Sequence, residues 1–282
     1  MNYIFYHKID LDGKCSGAIA ALNLREHKLC PINYDQEFPF DMIKKDDVVY
    51  MLDFSLQPFS NMLKLNKLCS LVWIDHHKSA IEEYKKSGET INCKLISSVA
   101  ACESVWNYFK TSPVPIGVKL LSMYDVWDKS DPRVDSFQCG VETVLELDPT
   151  KTLDDWKVLL TLDENKEDFK EILANGMIIE NFRKTEAEKR IKEMCWIDNI
   201  FGYKAIIANM RGNSMTFDSI YDKEKADLMI LFNYFGPTKK WTVSLYSKNP
   251  NVDCSEIAKK HGGGGHKAAS GYQTNDLSEI LK

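Results

Sequence analysis

Leu71-Val72-Trp73-Ile74-Asp75-His76-His77 is a buried-type hydrophobic run that stops abruptly at a carboxylate and two imidazoles. Four apolar residues in succession suit a strand covered on both faces, as in a parallel sheet. Asp and His are ligands for divalent metals of intermediate hardness. Two other runs end the same way. Asn2-Tyr3-Ile4-Phe5-Tyr6 leads into His7, Asp10 and Asp12, and Asp47-Val48-Val49-Tyr50-Met51-Leu52 leads into Asp53. Helical patterns lie between them, over 14–26 and 56–68, with Ala18, Ile19, Ala21 and Leu22 at helical spacing in the first. Alternation of strand and helix predicts a parallel sheet with crossover helices.

In such a sheet the carboxyl ends of the strands share one edge, so His7, Asp10, Asp12, Asp53, Asp75, His76 and His77 can converge. Each alone has an ordinary explanation: an Asp after a strand is usually a turn residue or a helix cap. Three strand ends of this kind within 77 residues point to a shared site. Crowded carboxylates raise one another's pKa, and two divalent cations remove that conflict. A mixed Asp/His set suits Mn²⁺ first, with Mg²⁺ or Co²⁺ as alternatives.

Farther along, Val99–Phe109 and Ile116–Tyr124 are helical patterns, the second ending at Asp125. Trp156, Leu159 and Leu160 mark a short packed helix. Residues 167–194 form a long charged helix with Phe169, Ile172, Leu173, Ile179 and Phe182 on one face. After Trp196 shorter strands appear, over 204–208, 228–234 and 241–246, and then a helix over 255–260. The expected fold is α/β: an N-terminal parallel-sheet domain (1–150), a helical connector (151–195) and a smaller α+β domain (196–282).

The second chemical signal is His261-Gly262-Gly263-Gly264-Gly265-His266. Consecutive glycines let backbone N–H groups approach an anion closely. His266 adds a side-chain donor for a phosphate or a leaving oxygen. The flanking histidines and the continuation Ala268-Ala269-Ser270-Gly271-Tyr272 favour a structured loop over a linker.

Composition narrows the function classes. With 282 residues, 44% hydrophobic and 27% charged, the chain is ordinary for a globular protein. No apolar run nears the roughly 18 residues that span a bilayer, and the start has no basic segment or cleavage site of a secretory signal. Eight scattered cysteines without a C-x-x-C pair suit reduced thiols in the cytoplasm. A net charge of −5 argues against wrapping long duplex DNA but not against a small phosphorylated ligand.

Taken together, the motifs resemble those of the DHH phosphoesterase family. Asp75-His76-His77 is similar to its name-giving motif, His7-x-x-Asp10-x-Asp12-Gly13 to its first and Asp53 to its second. The run Gly262–Gly271 resembles the glycine-rich signature of the DHH-associated C-terminal domain, and Val243-Ser244-Leu245-Tyr246-Ser247 the strand before it in the oligoribonuclease and cyclic-nucleotide phosphodiesterase (NrnB-like) branch. The resemblance implies that His7, Asp10 and Asp53 hold one metal ion. Asp12, Asp53, His76 and a fourth-motif Asp hold the other. Tyr124-Asp125-Val126-Trp127-Asp128 offers Asp125 for that position, with Asp128 as the alternative. Asp75 would orient a neighbouring group and His77 would face the scissile phosphate. Gly263, Gly264, Gly265, His266, Tyr246 and Ser247 would bind substrate, with the active site in the cleft between the domains. Tyr246 stands where many relatives carry an Arg, which replaces a charged fork with a ring able to stack.

The implied activity is hydrolysis of short single-stranded RNA or DNA, or of small nucleotides, by water activated at two metal ions. Rival readings are a cyclic mono- or dinucleotide phosphodiesterase, a bisphosphonucleotide phosphatase, a pyrophosphatase and a non-catalytic nucleotide-binding protein. The pyrophosphatases lack the glycine-His loop, and a sensor would be expected to have lost ligands that are all present here. No membrane partner is expected, and the fold admits a homodimer.

Overall fold

The computed structural model describes residues 1–281, and they fall into two compact units, 1–180 and 181–281. In the first unit the strands are β1 (Asn2–His7), β2 (His27–Ile32), β3 (Val48–Leu52), β4 (Ser70–Asp75) and β5 (Asn92–Leu95). Its helices are α1 (Leu11–Asn23), α2 (Ser60–Leu68), α3 (Lys78–Ser87), α4 (Ala101–Phe109), α5 (Ile116–Asp125), α6 (Val134–Val144) and α7 (Asp154–Leu160), followed by α8 (Glu167–Met194), which runs across the division.

All five strands are parallel, in the order β2-β1-β3-β4-β5. The chain steps from β1 outward to β2, then returns to the other side of β1 for β3. The topological switch point therefore lies between β1 and β3, where the helices diverge and a crevice opens at the carboxyl ends. Tyr6 is level with Leu52, and Leu52 with Ile74. The next residue of each strand is thus brought to the same edge: His7, Asp53 and Asp75.

Strand alternation sorts the core into two layers. Ile4, Tyr6, Val72 and Ile74 pack with α1, α4, α5 and α7 on one face. Phe5, Val49, Met51, Leu71 and Trp73 pack with α2 and its neighbours on the other. β1, β3 and β4 have no polar face towards water, which is why they read as continuous apolar runs. Phe182 is an exception to the expected helix face: it is 67% exposed, and the buried stripe of α8 in this unit is carried by Phe169 and Ile172 instead.

The second unit has a six-stranded mixed sheet, ordered β10-β11-β9-β8-β7-β6. Its strands are β6 (Cys195–Ile200), β7 (Tyr203–Asn209), β8 (Leu228–Phe235), β9 (Lys240–Tyr246), β10 (Gly264–Gly265) and β11 (Ala269–Thr274), with α9 (Cys254–Lys260) between β9 and β10. Val243, Leu245 and Tyr272 join Ile257 and Ala258 of α9 in one core layer.

Helices α6 and α8 meet through glycine. A Cβ on Gly176 would lie 1.7 Å from the Ser136 carbonyl oxygen, and one on Gly140 would lie 1.9 Å from that of Ile172. The two backbones are in contact, and a single methyl forces them apart. Overpacking of this kind costs about 1–3 kcal/mol. Gly176→Ala should therefore lower unfolding stability by about that amount in urea denaturation; an unchanged midpoint would contradict the close crossing.

Candidate metal centre

His7 closes β1, and its Nδ1 lies 2.7 Å from Asp10 Oδ2 and 3.7 Å from Asp53 Oδ2. Its other nitrogen, Nε2, faces Asn33 Oδ1 at 3.3 Å, which fixes the ring's orientation. Asp10 caps α1, with Oδ1 accepting from the Gly13 N–H at 2.9 Å. Asp12, two residues on, is 2% exposed. It accepts from the backbone N–H of Ala101 (2.9 Å) and of Cys102 (2.6 Å), so the N-terminus of α4 holds this carboxylate from 89 and 90 residues away. A helix N-terminus stabilises negative charge.

Asp53 follows β3 with φ +52°, in the left-handed region that few non-glycine residues occupy. Its backbone N–H is held by the Ile74 carbonyl at 2.9 Å. The outcome is a carboxylate that looks two ways: Oδ2 towards His7, and Oδ1 towards His76 Nε2 at 3.2 Å. His76 Nε2 is also 3.4 Å from Asp12 Oδ2 and 3.2 Å from Asp125 Oδ2. Asp125 ends α5 and belongs to this cluster. Asp128 does not: it is exposed and accepts from the Ser130 N–H at 2.9 Å.

Asp75 is fully buried. Its Oδ1 accepts from the backbone N–H of His76 (2.7 Å) and of His77 (3.1 Å) and meets His77 Nδ1 at 2.8 Å. The Trp73 indole donates to Oδ2 at 3.3 Å. Asp75 therefore sets the turn after β4 and the ring of His77.

Two neighbouring sets result, His7-Asp10-Asp53 and Asp12-His76-Asp125, with donor atoms in each within 4.8 Å of one another, and Asp53 Oδ1 faces the second. Three carboxylates crowd one nitrogen of His76, which carries at most one proton. Asp53 Oδ1 and Asp125 Oδ2 are accordingly buried without a directed hydrogen bond. A divalent cation in each set would satisfy these oxygens together, so the residues fit a pair of metal ions.

The charges report the same crowding. Burial, then the charges of Asp12 and Asp10, push the Asp53 carboxyl well above its ordinary range. Burial and the charge of Asp12 raise Asp125 to about 7. Burial opposes protonation of His7, but hydrogen bonds and charge from Asp10 and Asp53 outweigh it and raise the imidazole to about 10. Asp10 goes the other way: burial would raise it, yet the His7 contact holds it at about 2.

In the second unit the glycine run is a short hairpin rather than an open loop. α9 ends at His261, whose ring stacks on Tyr272 (centroids 4.4 Å apart) and meets Glu279 at 3.3 Å. Gly264 pairs with Gly271 and Gly265 with Ser270. His266 sits in the turn, its N–H bonded to the Ala269 carbonyl at 2.8 Å. Gly263 is packed so that a Cβ would lie 2.1 Å from the Gly271 carbonyl oxygen, whereas a Cβ on Gly264 would meet only open space. Tyr246 is half-buried at the end of β9, level with Ala269. The Ser247 hydroxyl donates to the Asp227 carbonyl at 2.7 Å, and its N–H to that of Ala268 at 3.0 Å, tying the strand end to the hairpin.

The family model for the DHH family, N-terminal domain, matches residues 2–147, a little over half of the chain. The chain belongs to the DHH family. Members of the DHH family are metal-dependent phosphoesterases, and the buried Asp/His cluster lies within the matched segment. A curated relative, the uncharacterized protein R106 of Acanthamoeba polyphaga mimivirus, is 28% identical over 259 residues. That match covers 88% of this chain and 58% of the viral protein, so the chain spans little more than half of its relative's length. Similar solved structures include the pGpG-specific phosphodiesterase PggH of Vibrio cholerae, with TM-score 0.49, 13% identity, and 96% of this chain and 92% of that one covered. Another is an exopolyphosphatase-related protein of Bacteroides fragilis, with TM-score 0.48, 14% identity and coverages of 99% and 88%.

Two contributors were not read from the sequence: Asn33 behind His7, and the α4 N-terminus behind Asp12. Asn33 directly follows the unread strand β2, whose end shares the site's edge.

Metal binding must displace protons from His7 and Asp125. Asp125 holds one below about pH 7 and His7 up to about 10, and the upward shifts of Asp53 and His76 add to the protons that must leave. Apparent affinity for Mn²⁺ should therefore rise with pH, most steeply below about 7, in calorimetric titrations. Mn²⁺ should also raise the melting temperature of the native chain but not of Asp53→Asn. A pH-independent affinity, or an equal shift in both proteins, would argue against this ligand set.

Proposed function

We propose that this DHH-family protein is a phosphodiesterase acting on short oligonucleotides or small nucleotides, of the oligoribonuclease and cyclic-nucleotide phosphodiesterase branch. The observation that carries this reading is Asp53, whose two oxygens face two separate ligand sets. One carboxylate shared between two cation positions would hold them close together, as two-metal phosphoryl chemistry needs. His7, Asp10 and Asp53 would hold one ion, and Asp12, Asp53, His76 and Asp125 the other, with Mn²⁺ as the expected metal. The bound ions would supply an activated water and neutralise phosphate charge.

The chain's own residues do the rest. Asp75 aligns His77 through the 2.8 Å contact at Nδ1, and His77 contacts the phosphate under attack. Burial works against protonation of His77, but the charge and hydrogen bond of Asp75 outweigh it and raise its pKa, so the ring can donate to a phosphate oxygen. Gly263, Gly264, Gly265 and His266 hold a phosphate of the substrate, with Tyr246 beside them. Ser247 contributes by fixing the strand end to the hairpin. Eight scattered cysteines favour a reducing compartment, the cytoplasm. Among the described residues no helix is long and apolar enough to cross a membrane.

The test is a panel with Mn²⁺: RNA and DNA of two to about twenty nucleotides, cyclic nucleotides, bisphosphonucleotide and pyrophosphate. We expect hydrolysis of short oligonucleotides. His76→Ala and Asp53→Asn should each lower it by more than about a hundredfold, since even groups that only support a ligand cost 10–100-fold. Asn is chosen at 53 because it tolerates the left-handed backbone better than Ala does. Hydrolysis of pyrophosphate alone would overturn the proposal. A separate arm concerns the hairpin. Gly264→Val has room to fold and should raise KM for short oligonucleotides about tenfold or more with metal affinity unchanged, the cost of losing one charge-assisted contact. An unchanged KM would remove Gly264 from the substrate site.

A further inference from the structure

Tyr34 is a large aromatic residue with 51% of its surface open to solvent, close to a cluster of buried carboxylates and imidazoles. Its ring leans on Phe54 with centroids 4.4 Å apart and lies 5.8 Å from the ring of His7. Phe54 is buried and directly follows Asp53.

The loop that carries Tyr34 is held in place. Asn33 faces His7 Nε2 at 3.3 Å. Gln36 accepts from Lys8 Nζ at 2.8 Å and from the Asn33 N–H at 3.1 Å, and its own N–H donates to the Asn33 carbonyl at 3.0 Å. An aromatic side chain, half open to solvent, is thus fixed beside a candidate metal ligand. Exposed apolar area has a cost in water that a covering ligand would remove.

We propose that Tyr34 is a stacking platform for the nucleobase of a bound nucleotide, and that it selects nucleoside phosphoesters over inorganic phosphate chains. This rests on the phosphodiesterase reading and deepens it. A phosphate near His7 places the attached nucleoside within reach of the ring, and every base offers a π-face irrespective of sequence. Pyrophosphate and polyphosphate offer none. The selectivity is therefore for the presence of a base rather than for its identity.

The test compares the 5′-phosphorylated dinucleotide pApA with its abasic analogue, which keeps the sugar–phosphate chain. Tyr34→Phe keeps a ring, whereas Tyr34→Leu keeps apolar cover over Phe54 and His7 but removes the π-face. Turnover is read with Mn²⁺ and equilibrium binding with Ca²⁺. We expect Tyr34→Phe to match the native chain within about threefold, and Tyr34→Leu to bind pApA about ten- to a hundredfold more weakly with the abasic analogue unaffected. The Mn²⁺-induced rise in melting temperature should be the same in all three proteins. Equal losses on both ligands, a full-strength Tyr34→Leu, or a Tyr34→Leu that no longer responds to Mn²⁺ would each overturn the platform. A native chain that binds and cleaves both ligands equally refutes Tyr34 alone. One that neither binds nor cleaves either ligand refutes the phosphodiesterase reading as well.

Discussion

Four carboxylates, Asp10, Asp12, Asp53 and Asp125, meet at the edge of one parallel sheet, and their mutual repulsion is the constraint around which the N-terminal unit is arranged. Without compensation the cost is carried as protons. A group whose pKa is raised on folding adds stability below its unfolded value and loses that contribution as pH rises through the folded one. Asp125, raised to about 7, therefore weakens the fold as the solution passes from acid to neutral. Asp10 has the opposite sign, its contribution being lost only as the solution falls towards about pH 2. Two of the carboxylates have a dedicated support: His7 for Asp10, the α4 N-terminus for Asp12. Asp53 and Asp125 have less, and theirs are the buried oxygens without a directed hydrogen bond. The pattern is one of stability set aside at a site that a ligand restores.

The same economy explains the backbone. Asp53 presents one oxygen to each cluster, and it does so from a backbone with φ +52° rather than an extended one. The left-handed φ turns the carboxylate between β1 and β4, and the hydrogen bond to Ile74 keeps it there. Strain at this position is over-determined by the buried strands on either side. The switch point in strand order supplies the space, since α1 leaves β1 towards one side and the chain reaches β3 on the other.

Much of this was legible in the residues. β1, β3 and β4 are buried on both faces, so their apolar runs are continuous and their ends are marked by His7, Asp53 and Asp75. β2 and β5 were not legible, for a physical reason: both are half-exposed edge strands, β5 is only four residues long, and β2 contains Pro31, which only an edge tolerates. Asn33 and Tyr34 went unread with β2, because their meaning depends on the strand that places them. The bonds from Ala101 and Cys102 to Asp12 were also beyond reach: they are backbone N–H groups, and any residue but proline could supply them. Phe182 misled in the other direction, since helical spacing alone does not tell which part of a 28-residue helix has a neighbour.

The glycine run illustrates how a motif and its chemistry can be separated. Gly262 has φ +75° and Gly265 +134°, so the reversal of the chain itself calls for glycine there. Gly263 is required by its contact with the Gly271 carbonyl. These three follow from folding, and they would be glycine in a hairpin that bound nothing. Gly264 has an ordinary φ and open space where a side chain would go, so the fold makes no demand on it. Its missing side chain is thus the one feature of the run that points outward, to whatever approaches the hairpin, and the case for an anion at this place rests on that residue rather than on the count of glycines.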